Sequence, residues 1–214
     1  MKSIFFKSSF LGLVALLFLS NSSFAQGLFF ERIYDETLSQ ASYVIGDAQT
    51  KEVIVIDPKR DIDTYLQIAE KHNLKITKIT ETHIHADFLS GSRELAAVTK
   101  APLYLSDEGG KDWQYDFPHT GLKDGDKISV GSITIEVIHT PGHTPESLTF
   151  LVKDDTENPI KAITGDFIFV GDVGRPDLLE KAAGQIGSQE LGAKQLYRSI
   201  EKFLKLPDNT EIWP

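Results

Sequence analysis

Thr82-His83-Ile84-His85-Ala86-Asp87-Phe88 is the stretch around which the rest of the chain is organised. Residues 75–81, just before it, alternate apolar and polar side chains and predict a strand. Residues 89–98, just after it, predict the start of a helix. Two histidines and an aspartate therefore fall in one strand-to-helix loop. Side chains two apart in an extended segment point the same way, so His83 and His85 are able to converge on one point. Asp87 is placed either to cap the helix or to reach that same point. A lone histidine is more often a hydrogen-bonded structural residue. Two with an aspartate at this spacing, at the C-terminal end of a strand, favour a metal site.

Working outward, residues 28–34, 41–46 and 52–58 predict strands, the last two forming a hairpin. Residues 61–72 carry apolar side chains at helical spacing, with Asp61 or Asp63 available as a cap. Beyond the histidine loop come a helix over about residues 88–99 and a short strand over 102–105. Residues 107–122 read as a long polar loop whose aromatics pack it down, and His119 within it has no assigned role. Strands follow over 127–130, 133–138, 147–152 and 160–164, then a glycine-rich loop over 170–177. A last helix spans about residues 188–203, with Leu191, Leu196, Ile200 and Phe203 as its apolar positions, and a further strand starts at Glu211. This order predicts an α/β architecture, two sheets packed face to face with helices outside.

Two further loops at strand ends carry ligand-type residues. Pro141-Gly142 makes the turn that presents His143, because proline fixes φ and glycine takes conformations closed to other residues. Asp166 follows Gly165 at the end of an apolar strand, where a partly buried carboxylate is costly unless paired, and a metal removes that cost. Taken alone it reads equally as a helix or turn cap, and the company of the histidine loops favours a ligand.

Bulk composition narrows the classes. Lys2 and Lys7, an apolar run over 10–19 and the exit Ser23-Phe24-Ala25 predict a secretory signal peptide over residues 1–25, with one domain over 26–214. The run is short for a membrane span, which takes ~20 residues. Export is expected, to the periplasm of a Gram-negative bacterium. The chain has a net charge of −9, which argues against nucleic acid as a partner. It has no cysteine, so disulfides, thiolate ligands and a cysteine nucleophile are excluded, and any metal must be held by histidine and carboxylate.

The motifs Thr82-His83-Ile84-His85-Ala86-Asp87, Thr140-Pro141-Gly142-His143-Thr144 and Thr164-Gly165-Asp166, in this order and spacing, resemble the metallo-β-lactamase superfamily. The finer resemblance is to its persulfide dioxygenase (sulfur dioxygenase) branch, including members fused to rhodanese domains. Phe29-Phe30-Glu31-Arg32 and the runs over 81–91, 140–147 and 164–177 carry it. It implies an αββα sandwich with a metal at one edge. It implies a single Fe(II) per chain held by His83, His143 and Asp166, which are then both the metal ligands and the catalytic centre. His85 and Asp87 become outer-sphere or alternative ligands. The implied reaction takes glutathione persulfide, or a similar thiol persulfide, with O2 to sulfite and thiol, in sulfide detoxification. Arg175 is the candidate to bind a substrate carboxylate, against the alternative of an ion pair with Asp172 or Asp177.

Phe88 stands where dinuclear hydrolases of the superfamily usually carry histidine, which argues for one metal rather than two. Val173 stands where some relatives carry cysteine. In relatives Trp213-Pro214 would run on into Gly-His-Gly, which leads to the expectation of a truncated C-terminus and of a rhodanese-type sulfurtransferase partner or domain. A rival reading is a zinc thioester hydrolase of the glyoxalase II (hydroxyacylglutathione hydrolase) type, with His83, His85 and His143 on zinc. Another is an inactive metal- or persulfide-binding fragment.

Overall fold

The computed structural model describes residues 27–153, 157–184 and 186–214; the expected signal peptide lies outside them. None of the described helices is long and apolar enough to cross a membrane.

Six strands form the first sheet in chain order: β1 (Leu28–Asp35), β2 (Gln40–Asp47), β3 (Glu52–Ile56), β4 (Lys75–Thr80), β5 (Leu103–Ser106) and β6 (Thr120–Leu122). β1 to β3 are antiparallel, and β3 to β6 run parallel. The second sheet contains β7 (Lys127–Val130), β8 (Ile133–His139), β9 (Leu148–Lys153), β10 (Pro159–Ile163) and, after a small hairpin of β11 (Ile168–Phe169) and β12 (Asp172–Val173), β13 (Glu211–Trp213). β13 lies parallel beside β10 and the other neighbours are antiparallel.

Alternation along the strands explains the layering. Tyr43, Ile45, Ile54 and Ile56 of the first sheet meet Ile135, Val137, Leu148, Phe150 and Val152 of the second in one buried cluster. The intervening Val44, Val53 and Val55 point the other way. They pack against Tyr65, Ile68 and Ala69 of α1 (Asp63–His72) and Leu95 of α2 (Ser92–Thr99). On the outer face of the second sheet, Ile138, Leu151 and Ala162 meet Leu196 and Phe203 of α4 (Ser188–Phe203). β2 and β3 are apolar on both faces because both are covered. The predicted αββα sandwich is the fold observed.

Local departures have local causes. α1 begins after Ile62, and neither Asp61 nor Asp63 caps it through its side chain. α2 starts at Ser92, later than expected, because Ser90 first pairs with Lys59 in an isolated bridge and Gly91 lies against that backbone. A Cβ on Gly91 would fall 2.3 Å from the Lys59 carbonyl oxygen. Asp87 is therefore too early to cap the helix. Residues 107–122 are not all loop: a short 3-10 turn (Lys111–Trp113) and β6 lie within them. α3 (Leu178–Ala183) was not anticipated, and Leu191 of α4 is exposed rather than buried.

Candidate metal centre

The C-terminal ends of β4, β8 and β10 open onto one edge of the sandwich, and each delivers one candidate ligand. Leaving β4, the buried Thr82 donates its N–H and its hydroxyl to the carboxylate of Asp57, at 2.6 and 2.7 Å. Its oxygen also lies 2.9 Å from Nδ1 of His83. The hydroxyl proton is already committed to Asp57, so the oxygen accepts from Nδ1–H, which leaves Nε2 of His83 as the free lone pair. Burial, with His85 and His143 adding to it, holds His83 well below the ordinary imidazole range. His83 is thus a neutral imidazole, the form that ligates.

His143 comes from the β8–β9 turn. Gly142 has φ +150° and lies against α4, where a Cβ would fall 2.5 Å from Leu196 Cβ. The buried carboxylate of Glu146 clamps this turn to the histidine loop, accepting from Ile84 N–H at 2.7 Å and from the Thr144 hydroxyl at 3.0 Å. Burial pushes the Glu146 carboxyl upward. Asp166 follows Gly165, whose φ of +48° and packing against Thr82 leave no room for a side chain. Burial raises the Asp166 carboxyl, and the nearby His143 pulls the other way.

His83, His143 and Asp166 present ligand atoms that all lie within 4.8 Å of one another. His143 Nε2 is 3.5 Å from Asp166 Oδ2, and the rings of His83 and His143 meet edge-on at 5.0 Å. Two ligands on one first-row ion lie roughly 3–3.5 Å apart, and the His143–Asp166 separation falls at that spacing. The donor set fits too: two imidazole nitrogens and a carboxylate whose burial is relieved by a cation. His143 Nδ1 is buried and has no hydrogen-bond partner.

His85 is not in this group. It belongs to a second one with Asp57 and Glu81. Its Nε2 lies 3.0 Å from Asp57 and 3.3 Å from Glu81, and its ring stacks at 4.4 Å on Phe88. Burial opposes its protonation, but the two carboxylates prevail and raise it. Asp87 is exposed and lines, with Asp166, His85 and Phe88, a cavity of about 220 Å3 that reaches to Arg32 and Tyr43. Arg175 does not line that cavity. It forms a bidentate pair with Asp177, Nε to Oδ1 at 3.1 Å and Nη2 to Oδ2 at 2.9 Å.

Residues 36–212 match the model of the metallo-beta-lactamase superfamily. The chain belongs to that superfamily. Among solved structures, a metallo-beta-lactamase from Staphylococcus aureus subsp. aureus COL is 48% identical with a TM-score of 0.83, covering 88% of this chain and 56% of its own. ETHE1 from Myxococcus xanthus is 31% identical with a TM-score of 0.72, covering 87% of this chain and 74% of that one. Persulfide dioxygenase ETHE1, mitochondrial, of Bos taurus is 30% identical over 182 residues, 81% of this chain and 62% of its own length. Glyoxylase B2 of Dictyostelium discoideum is 27% identical over 198 residues, 79% of this chain and 63% of its own. The chain thus spans less than two thirds of the bovine and Dictyostelium relatives. Within this metallo-β-lactamase domain, Asp57, Glu81 and Glu146 are the site residues that the sequence reading missed. Glu81 and Glu146 stand two and three residues from motif histidines, close enough for their place in the sequence to have marked them, and Asp57 does not.

Proposed function

We propose that this metallo-β-lactamase domain is a mononuclear iron persulfide dioxygenase. It takes a thiol persulfide, O2 and water to thiol, sulfite and two protons, with glutathione persulfide the first candidate substrate. The observation that carries the reading is the three-residue group His83, His143 and Asp166, two imidazoles and one carboxylate, from which His85 is drawn away. Two histidines and a carboxylate on one side of an ion leave its other side open, the arrangement of non-haem Fe(II) oxygenases. The bovine persulfide dioxygenase at 30% identity, and ETHE1 from Myxococcus xanthus at 31%, support the same choice.

When bound, iron would supply open coordination positions and the one-electron chemistry that zinc lacks. The chain's own residues do the rest. Thr82 holds His83 in one tautomer by relaying its Nδ1 proton contact to Asp57. Glu146 keeps the His83 and His143 loops in register. The cavity beside Asp166 admits a small thiol-bearing substrate, with Phe88 and Phe169 on its apolar side and Arg32 at its margin. For Arg175 to bind a substrate carboxylate, its pair with Asp177 must open first.

Protein purified without oxygen should carry one iron per chain and release sulfite when glutathione persulfide and air are added. His83→Ala, His143→Ala and Asp166→Ala should each lose the iron and the sulfite. Zinc with thioester turnover and no sulfite would establish instead the thioester hydrolase reading. That second reading is favoured by one feature, His85 lying 4.1 Å ring to ring from His83. Export and supply of persulfide by a rhodanese-type sulfurtransferase complete the proposal.

A further inference from the structure

We propose that Glu81 is a positioning residue that, with Asp57, withholds His85 from the metal and so fixes the number of protein ligands at three. The inference rests on His83, His143 and Asp166 binding the ion. His85 leaves the chain two residues after His83, on the same side, and the two rings are 4.1 Å apart. Nothing in the backbone keeps it from becoming a fourth ligand. What diverts it is the pair of buried carboxylates on its Nε2, Asp57 at 3.0 Å and Glu81 at 3.3 Å.

Neither carboxylate is free to follow His85 toward an ion. Asp57 is anchored by both the N–H and the hydroxyl of Thr82. Glu81 is 5% exposed and held by the Ser90 hydroxyl. If His85 turned to the metal, the two buried acids would lose the Nε2 contact they share, and a buried polar group left without its partner is disfavoured. Phe88, its ring tilted by 46° against that of His85 at 4.4 Å, offers no ligand and packs His85 where it is. The consequence is functional. A fourth protein ligand would occupy one of the positions that O2 and a persulfide need, and would favour a tetrahedral zinc site.

Cobalt(II) reports ligand number through its visible absorption, and zinc affinity is readable by chelator competition. The wild type should bind one cobalt per chain, with a spectrum unchanged by His85→Ala. In Glu81→Gln, which keeps the side chain's size, the absorption should change to that of a site with one more imidazole. Zinc should bind about tenfold tighter, the scale on which outer-sphere partners tune metal affinity. Glu81→Asp, too short to reach His85, should change the same way, and Glu81→Gln/His85→Ala should revert to the wild-type spectrum. Unchanged spectra and affinities in both Glu81 variants, while His83→Ala has lost the metal, would overturn the role of Glu81 alone. A second cobalt bound by the wild type and lost in Glu81→Gln would overturn it in favour of a cation site at Asp57, Glu81 and His85. A cobalt spectrum that survives His83→Ala would remove the triad and this inference with it.

Discussion

Asp47 and Glu146 are both buried carboxylates, and their surroundings drive them in opposite directions. Glu146 accepts few hydrogen bonds for its depth, so burial wins and its carboxyl is raised. At Asp47 burial also pushes upward, but N–H groups of Ser132, Gln49 and Thr50 outweigh it and hold the carboxyl at about 2. The Ser132 bond, at 2.8 Å, ties the β2–β3 turn to the β7–β8 turn across the two sheets, and the other two close the β2–β3 turn itself. The folded value lies below the unfolded one, so the stabilisation is present above about pH 4 and is lost as pH falls through about 2. With solvent screening allowed for, it amounts to roughly 1–2 kcal/mol. Asp47→Asn keeps an acceptor but not the charge. Urea unfolding at pH 6 should show the variant less stable by that amount, and the gap should close by pH 2. A gap independent of pH would mean that shape, not charge, is what Asp47 contributes.

At the scale of elements, the centre depends on how tightly its loops approach one another. The β11–β12 hairpin brings Gly174 back against Asp166: Gly174 N–H donates to Phe167 carbonyl at 3.0 Å, and a Cβ on Gly174 would fall 1.7 Å from the Asp166 carbonyl oxygen. No side chain fits there, so Gly174→Ala must displace either the hairpin or Asp166. Metal content, compared with Gly171→Ala on the same hairpin, should fall at least tenfold only in the Gly174 variant. Gly171 has open space around it, and its alanine variant costs only the strain of a φ of +86°. Equal metal loading in both would refute the steric argument. Sequence pattern revealed the long strands and α4 because each alternates or repeats along its whole length. It did not reveal β6 or α3, with three and six residues, because neither completes enough of a period to be read. The candidate ligands His83, His143 and Asp166 were legible as motifs at strand ends. The diversion of His85 was not, because Asp57 stands 28 positions earlier and meets it only through the parallel pairing of β3 with β4.

Across the whole molecule, the two sheets are joined by the apolar cluster around Phe150 and Tyr43 and, at one edge, by the candidate centre. His83 follows β4 of the first sheet; His143 and Asp166 follow β8 and β10 of the second. Leu148 N–H already bridges the two there, donating to the Thr82 carbonyl at 2.7 Å. An ion held by all three ligands would therefore be a cross-link between sheets, bound by the folded sandwich and not by the unfolded chain. Linkage then fixes its effect on stability: at free metal one hundred times Kd, the folded state gains about 2.7 kcal/mol. Adding a strong chelator should lower the unfolding free energy by that amount. Asp166→Ala should show no difference with or without chelator, because it removes the second sheet's carboxylate from the link. His119→Ala serves as the control: His119 bonds to Asp107 and the Phe117 carbonyl, outside the centre, so its chelator response should match the wild type. A chelator effect that persists in Asp166→Ala would mean that the ion is held without that carboxylate, and the three-loop centre would have to be given up.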